Sequence, residues 1–538
     1  MTSDDLDPQQ VAANSAASAL LVVAPPGCGK TELLARRAEV LISGLKPYQR
    51  ILALTFTNRA KANLRARLLQ TLGPTRLRRY VQVHNFHGHA AEILLAHGRT
   101  IGLSVSDLVM PNSKTLKRAL EQFSSDPNAN KASGDLLASI KRRPLSDEEV
   151  MAALDAAGDQ LARRVEQERI KANQLHYEDL LRHAQRLLAI EQVANLCQQH
   201  YGATLVDEFQ DLSLLQFAIA LRSCTRSRTF AGDPLQGIYS WAGAAPRQVE
   251  QKLRELCGPP IQLTVSYRSS PAVLDMVNAV SFSMGAEPLR AASADSWVGG
   301  GVAAAVVEDT WASEAQMIAS VSAKILAARP SASIGVITRS GWRRREIDAA
   351  FVARPELPCR RWDLAVDDPQ ILTLLLSSLA SMPANVTFDE ARERVVAKTD
   401  PADVETIELI EDAFAQLEEV ATGSVRSSLS QFRPSREDEA IGPGVHLLNA
   451  HTGKGQQFDW VFVPGLEERH IPDRRNSQGQ ALEEEQRVLL VMVSRARHGL
   501  IVSRSESAEG RFGRYRTAQS RWWAALASAA RALPTALQ

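Results

Sequence analysis

Ala24-Pro25-Pro26-Gly27-Cys28-Gly29-Lys30-Thr31 follows the apolar run Leu20–Val23 and leads into a helical pattern that begins at Glu32. A phosphate chain needs several inward-pointing backbone N–H groups and no side chain in the way, which glycines at 27 and 29 permit. The helix start at Lys30-Thr31 adds the positive end of its dipole. In such a loop Lys30 reaches the β- and γ-phosphates of a nucleotide, and Thr31 Oγ holds Mg²⁺. The loop opens on Ala24, where Gly is usual. A second run, Leu205-Val206-Asp207-Glu208-Phe209-Gln210-Asp211, is an apolar strand ending on two carboxylates. Alone, an Asp-Glu pair is more often a solvated strand end. Downstream of a phosphate loop, Asp207 suits the metal, through water or directly, and Glu208 suits the base that deprotonates an attacking water.

Placing these groups requires a parallel α/β scaffold. Ten short apolar runs read as buried strands: Leu20–Val23, Ile51–Thr55, Val81–Val83, Thr204–Val206, Arg228–Ala231, Gln262–Val265, Ile334–Thr338, Val445–Leu448, Trp460–Val463 and Gly499–Val502. Many are followed by Gly, Asp or Thr and then a helical pattern, the rhythm of βα units. They fall into two groups, before about residue 270 and after about residue 330, so two α/β cores are expected. Residues 90–200 and 367–440 are helical in pattern and read as insertions; within the first, Asp126–Asp135 reads as a loop. Val150, Leu154, Ala157, Leu161 and Val165 fall near helical spacing. The tail around Trp522-Trp523 reads as an amphipathic helix packed on the second core.

Composition narrows the classes. With 538 residues, 45% hydrophobic and 23% charged, the chain is a multi-unit globular protein and not a disordered one. Its 62 basic and 61 acidic residues leave a net charge of +1, so a nucleic-acid contact would be a local groove. No apolar stretch near the N-terminus is long enough to span a bilayer, and the leader is acidic, so a cytoplasmic protein without a membrane contact is expected. The five cysteines are scattered without a Cys-x-x-Cys, which argues against a structural metal site or a disulfide framework.

From about residue 6 to residue 505, the order and spacing of the motifs resemble those of UvrD/Rep-type superfamily 1 DNA helicases. Leu6-Asp-Pro-Gln-Gln10 is similar to the adenine-reading Q motif, with Gln10 the better match and Gln9 the alternative. Leu54–Asn58 and His84–Gly88 resemble the DNA-contact motifs, and His176–Leu180 the segment before motif II. Gly232–Trp241 resembles motif III, Ser266–Ser269 motif IV, and His451–Phe458 motif V. Glu485–Arg487 with Val493–Ala496 resembles motif VI.

The resemblance implies two RecA-like P-loop cores that hydrolyse ATP with Mg²⁺ between them, a single-strand DNA translocase or 3′→5′ helicase. The first core would be 1–89 and 195–280, with insertion 90–194. The second would be 281–366 and 441–538, with insertion 367–440. Arg268 and Arg495 would face the γ-phosphate, Gln236 would sense it, Tyr267 would stack on adenine, and Gln457 would reach the ribose or γ-phosphate side. Phe56, Phe86, Tyr239 and Trp241 would stack on bases, Asn58 and His87 would bind phosphate, and His451 would lie on the DNA side.

Some positions depart from the family. Motif III continues Trp241-Ala242-Gly243-Ala244 without its usual Arg. Glu32 stands where Arg often packs on adenine, and Gln457 where Glu is common. The second insertion is short and lacks the duplex-contacting Gly-Ile-Gly element. The short second insertion suits a DNA-gated ATPase that regulates a partner nuclease, and UvrD-like subunits of about this size occur in anti-phage systems such as Gabija. The partners expected are single-stranded DNA, junctions or tailed duplexes, and a nuclease. A small-molecule P-loop kinase would leave the DNA-contact motifs and motifs III and V unexplained.

Overall fold

A computed structural model of the chain describes residues 7–111, 115–240, 243–339, 342–362, 369–380, 382–383, 385–399, 441–510 and 513–538, with shorter pieces between 410 and 431. The chain divides into two compact units, the first ending at Arg268 and the second beginning at Ser269.

The first unit is built on a six-stranded parallel sheet. Its strands are β1 (Ala19–Val23), β2 (Arg50–Thr55), β3 (Val81–Asn85), β4 (Tyr201–Asp207), β5 (Arg228–Gly232) and β6 (Ile261–Gln262), in the spatial order β3-β2-β4-β5-β1-β6. All five pairings are parallel. Every residue of β4 is buried, as expected of a central strand covered on both faces. Leu21, Leu52, Leu54, Val206 and Phe230 form the core with Leu180, Leu187 and Phe217 from the flanking helices. The stretch Gln262–Val265 is not one strand: only Ile261–Gln262 joins this sheet.

The second unit carries β7 (Val302–Thr310), β8 (Ser333–Thr338), β9 (Cys359–Arg361), β10 (Gly444–Asn449), β11 (Phe458–Val463), β12 (Ala496–Gly510) and β13 (Gly513–Arg516). The order is β9-β10-β8-β11-β12-β13, with β7 also on β12. All of it is parallel except the β12–β13 pair. Ile334, Val336, Val445, Leu447 and Phe462 form its core. The closing helix Trp523–Ala529 buries Trp523 and Leu526.

Helices occupy the chain between β3 and β4. Leu120, Leu137, Ile140, Val150, Leu154 and Val165 make a separate core there. The stretch read as a loop at Asp126–Asp135 is instead mostly the helix Pro127–Lys141. Pro127 is tolerated at a helix start, and burial of Leu137 and Ile140 outweighs the polar, Gly-containing composition. The apolar spacing from Val150 to Val165 runs through two helices, broken at Gly158 in a left-handed conformation and restarted by an Asp159 cap. In the 367–440 stretch the described elements are helices, Pro369–Ala380, Phe388–Val396 and Val425–Gln431. Among the described residues no helix is long and apolar enough to cross a membrane.

Candidate functional site

In the first unit the chain turns sharply after β1. Ala24 N–H donates to Gly232 O at 2.7 Å, which ties the loop to the end of β5. Gly27 and Gly29 have φ of 81° and 79°, where a side chain is strained. A Cβ on Gly27 would lie 2.6 Å from Arg268 Cβ, and one on Gly29 would lie 2.1 Å from Gln9 Nε2. Pro25 and Pro26 shape the turn, and Cys28 N–H returns to Pro25 O at 3.1 Å. Gly29 then caps the helix Lys30–Ile42, leaving its first N–H groups to face whatever occupies the loop.

The carboxylates arrive from the neighbouring part of the sheet. Lys30 Nζ lies 3.0 Å from Asp207 Oδ1 and also pairs with Glu208 Oε1. Burial works against the charge on Lys30, but Asp207 and Glu208 outweigh it and raise its pKa. Burial raises the Asp207 carboxyl pKa, against the pull of Lys30. Glu208 sits at φ 57° and ψ 49°, a left-handed conformation that is costly without glycine. Its Oε2 accepts from Gln210 Nε2 at 2.6 Å. Gln236, buried in the turn after β5, donates through Nε2 to Asp233 Oδ2 at 2.8 Å. The oxygen donors available here, Thr31 Oγ and the Asp207 carboxylate, are the hard ligands Mg²⁺ takes together with phosphate and water. The glycine cradle and the lysine suit a nucleotide triphosphate.

Two expectations are corrected by geometry. Asp7 caps the helix Pro8–Asn14, and this phase turns Gln9 inward and Gln10 to solvent. Gln9 Nε2 donates to Cys28 O at 2.7 Å, so Gln9, not Gln10, meets the phosphate loop. Phe86 is fully buried in the first unit's core and offers no face to a base. It is the first residue of the helix Phe86–His97, and that helix packs its apolar side down onto the sheet.

The other candidates are dispersed. Phe56 stacks on Tyr239, with ring centroids 5.5 Å apart and planes at 24°. Asn58, exposed beside Phe56, accepts from Asn85 Nδ2 at 2.8 Å. His87 stacks on Tyr177, with ring centroids 4.0 Å apart, and burial lowers its pKa to about 4. Trp241 lies outside the described residues. Tyr267 is 56% exposed, and its backbone N–H donates to Gly27 O at 2.9 Å, which fixes it beside the loop. Arg268 follows it, half-buried.

In the second unit, Arg495 is buried. Its Nε donates to Val491 O at 2.8 Å and a terminal nitrogen donates to Ser494 Oγ. His451 is half-buried in the short helix Ala450–Gly453, and burial lowers its pKa to about 4. Gln457 is exposed. Glu32 bonds Arg36 Nε at 2.8 Å and lies 3.3 Å from Arg67.

Tyr177 and Gln210 fall inside the runs His176–Leu180 and Leu205–Asp211, which assign neither a role of its own. Tyr177, 38% exposed, opens a helix whose Asp179 pairs with Lys141, Arg169 and Arg182.

Residues 6–256 match the family described as the UvrD/REP helicase N-terminal domain. Residues 396–507 match the UvrD-like helicase C-terminal domain. The chain is 27% identical to the ATP-dependent DNA helicase UvrD2 of Mycobacterium tuberculosis, an alignment covering 92% of this chain and 78% of that protein. It is 25% identical to DNA helicase II of Escherichia coli, covering 93% and 84%. It is 30% identical to UvrD1 of Mycobacterium tuberculosis over 52% of this chain and 39% of that protein.

Proposed function

This chain belongs to the UvrD/REP helicase family and is an ATP-hydrolysing enzyme, and we propose that it is a DNA-stimulated ATPase that translocates 3′→5′ on single-stranded DNA. The single observation that carries the reading is the cluster Lys30–Asp207–Glu208 at the ends of β1 and β4, with the glycine loop above it. The relatives named ATP-dependent DNA helicases support extending that activity to this chain.

In this reading Lys30 leaves the carboxylates to neutralise the β- and γ-phosphates. Thr31 and Asp207 hold Mg²⁺, which when bound withdraws charge from the phosphate oxygens. Glu208 then accepts a proton from the water that attacks the γ-phosphorus. Gln9 and Tyr267 face the base, Arg268 and Arg495 face the developing charge, and Gln236 senses the γ-phosphate. The Phe56–Tyr239 pair receives a base, and Asn58 and His87 meet the strand's phosphates. We also read 90–194 and 367–440 as insertions into two cores, 1–89 with 195–280 and 281–366 with 441–538.

The test uses the purified chain with ATP and Mg²⁺. Hydrolysis is expected to be slow alone and to rise with single-stranded DNA, and strand separation is expected from a 3′-tailed but not a 5′-tailed duplex. Hydrolysis that ignores DNA, or separation favouring the 5′ tail, overturns the proposal. The short second insertion further predicts faster single-strand translocation than duplex unwinding.

A further inference from the structure

We infer that Gln210 is the positioning residue of this site: its amide fastens Glu208 to the turn Asp233–Gln236, so that the water-activating carboxylate moves with that turn. The inference rests on Glu208 being the base.

The Gln210 side chain is fully buried. At one end its Nε2 donates to Glu208 Oε2 at 2.6 Å, and at the other its Oε1 accepts from Asp233 N–H at 3.0 Å. The chain continues through Asp233, whose Oδ2 accepts from Gln236 Nε2 at 2.8 Å and whose Oδ1 accepts from Leu235 N–H at 3.0 Å. Glu208 and Gln236 are thereby joined by three hydrogen bonds in a largely buried path. The neighbouring backbone makes room for the amide. A Cβ on Gly232 would lie 2.3 Å from Gln210 Oε1 and 2.9 Å from Phe209 N, so a side chain there would displace both.

The chemistry of the fork selects a terminal amide. It must donate to a carboxylate and accept from a peptide N–H at once. Glutamate has no donor when ionised, and asparagine is one methylene short. An N–H on Glu208 stabilises its anion, so the bond makes the base weaker, not stronger. Its benefit is therefore direction. Glu208 occupies a left-handed backbone position that needs support from its surroundings. With Oε2 held by Gln210, Oε1 is the oxygen that faces Lys30, and it takes the water's proton once Lys30 turns to phosphate. Gln236 lies at the far end of the same chain, so a phosphate that draws Gln236 away from Asp233 shifts the anchor of the base.

The test compares Gln210→Met, which keeps length and removes both bonds, with Gln210→Glu, which keeps the acceptor for Asp233 N–H and loses the donor. ATPase kinetics with saturating single-stranded DNA, affinity for a fluorescent ATP analogue and thermal melting are read together. A misplaced base is expected to lower kcat about 10²-fold in both variants while KM and analogue affinity stay within about 3-fold. In a Glu208→Gln background, Gln210→Met is expected to cost less than about 2-fold more, because nothing remains to be positioned. Unchanged kcat, a rise in KM alone, or full additivity with Glu208→Gln overturns the inference. Should Gln210→Met melt far below the parent, Gln210→Glu carries the comparison. If Glu208→Gln itself turns over normally, the assignment of the base has failed. If Glu208→Gln is inactive but the Gln210 variants are not, only the positioning role has.

Discussion

At Lys30 one ammonium answers two carboxylates, and the chemistry of the site follows from which of them it can be spared by. Lys30→Ala is expected to abolish both nucleotide binding and turnover, since the phosphates lose their cation and Asp207 is left buried beside Glu208. Glu208→Gln is expected to bind a fluorescent ATP analogue normally and to lose about 10²–10⁴-fold in kcat, the usual worth of a positioned base. Near-normal turnover in Glu208→Gln would move the base elsewhere. The two glutamines of the first helix make a finer comparison. Gln9→Ala is expected to weaken nucleotide affinity, because Gln9 braces Cys28 O, and Gln10→Ala to leave it unchanged.

The elements decide which aromatics can act on DNA. Phe86→Ala is expected to destabilise the first unit by about 3–5 kcal/mol, as for other buried Phe deletions. Tyr239→Ala is expected to leave melting nearly unchanged and to weaken single-strand binding by about 1–3 kcal/mol, whatever the base sequence. The salt slope should hold, since no charge is removed. Equal DNA affinity in a folded Tyr239→Ala protein would return that ring to packing alone. The sequence revealed the phosphate loop and the strand ending at Asp207 because glycines, lysine and carboxylates advertise themselves at fixed spacing. It misjudged Phe86, since a motif says which residues recur and not which way the first turn of a helix faces. It preferred Gln10 to Gln9 because one residue is 100° of helix phase, set here by the Asp7 cap. It missed β7, which reads as a small-residue run, Val302-Ala303-Ala304-Ala305, and becomes a strand only by pairing along β12.

Across the whole molecule, burial lowers the pKa of ten of the eleven histidines. His87, His451 and His470 fall to about 4, and His89, His176 and His183 to about 3. An unfolded chain protonates these rings as pH drops through about 6.5, while the folded chain resists until far lower. Between those values the unfolded state binds more protons, so stability rises with pH and falls on acidification. Melting temperature is expected to decline steadily below about pH 6.5. A profile flat from pH 7 to 5 would mean that these rings find other partners as they charge. Arg495, tucked against Val491 O and Ser494 Oγ, must leave both to serve another charge. Arg495→Ala is therefore expected to cost turnover more than nucleotide affinity, which steady-state kinetics and analogue binding separate.

The thiol in the phosphate loop has a practical consequence. Cys28 is fully buried, and burial, with Asp233 adding to it, pushes its pKa up to about 12. Alkylating reagents attack the thiolate, so this sulfur is a poor target at neutral pH even though it sits next to Gly29 and Lys30. Cys257 and Cys359 are more accessible but are also raised by burial, to about 11 and about 12. Peptide mapping after brief iodoacetamide treatment of the folded protein should find Cys28 unmodified and ATP hydrolysis intact. Rapid inactivation with carbamidomethyl on Cys28 would show that the loop opens, in the empty protein, far more often than its hydrogen bonds suggest.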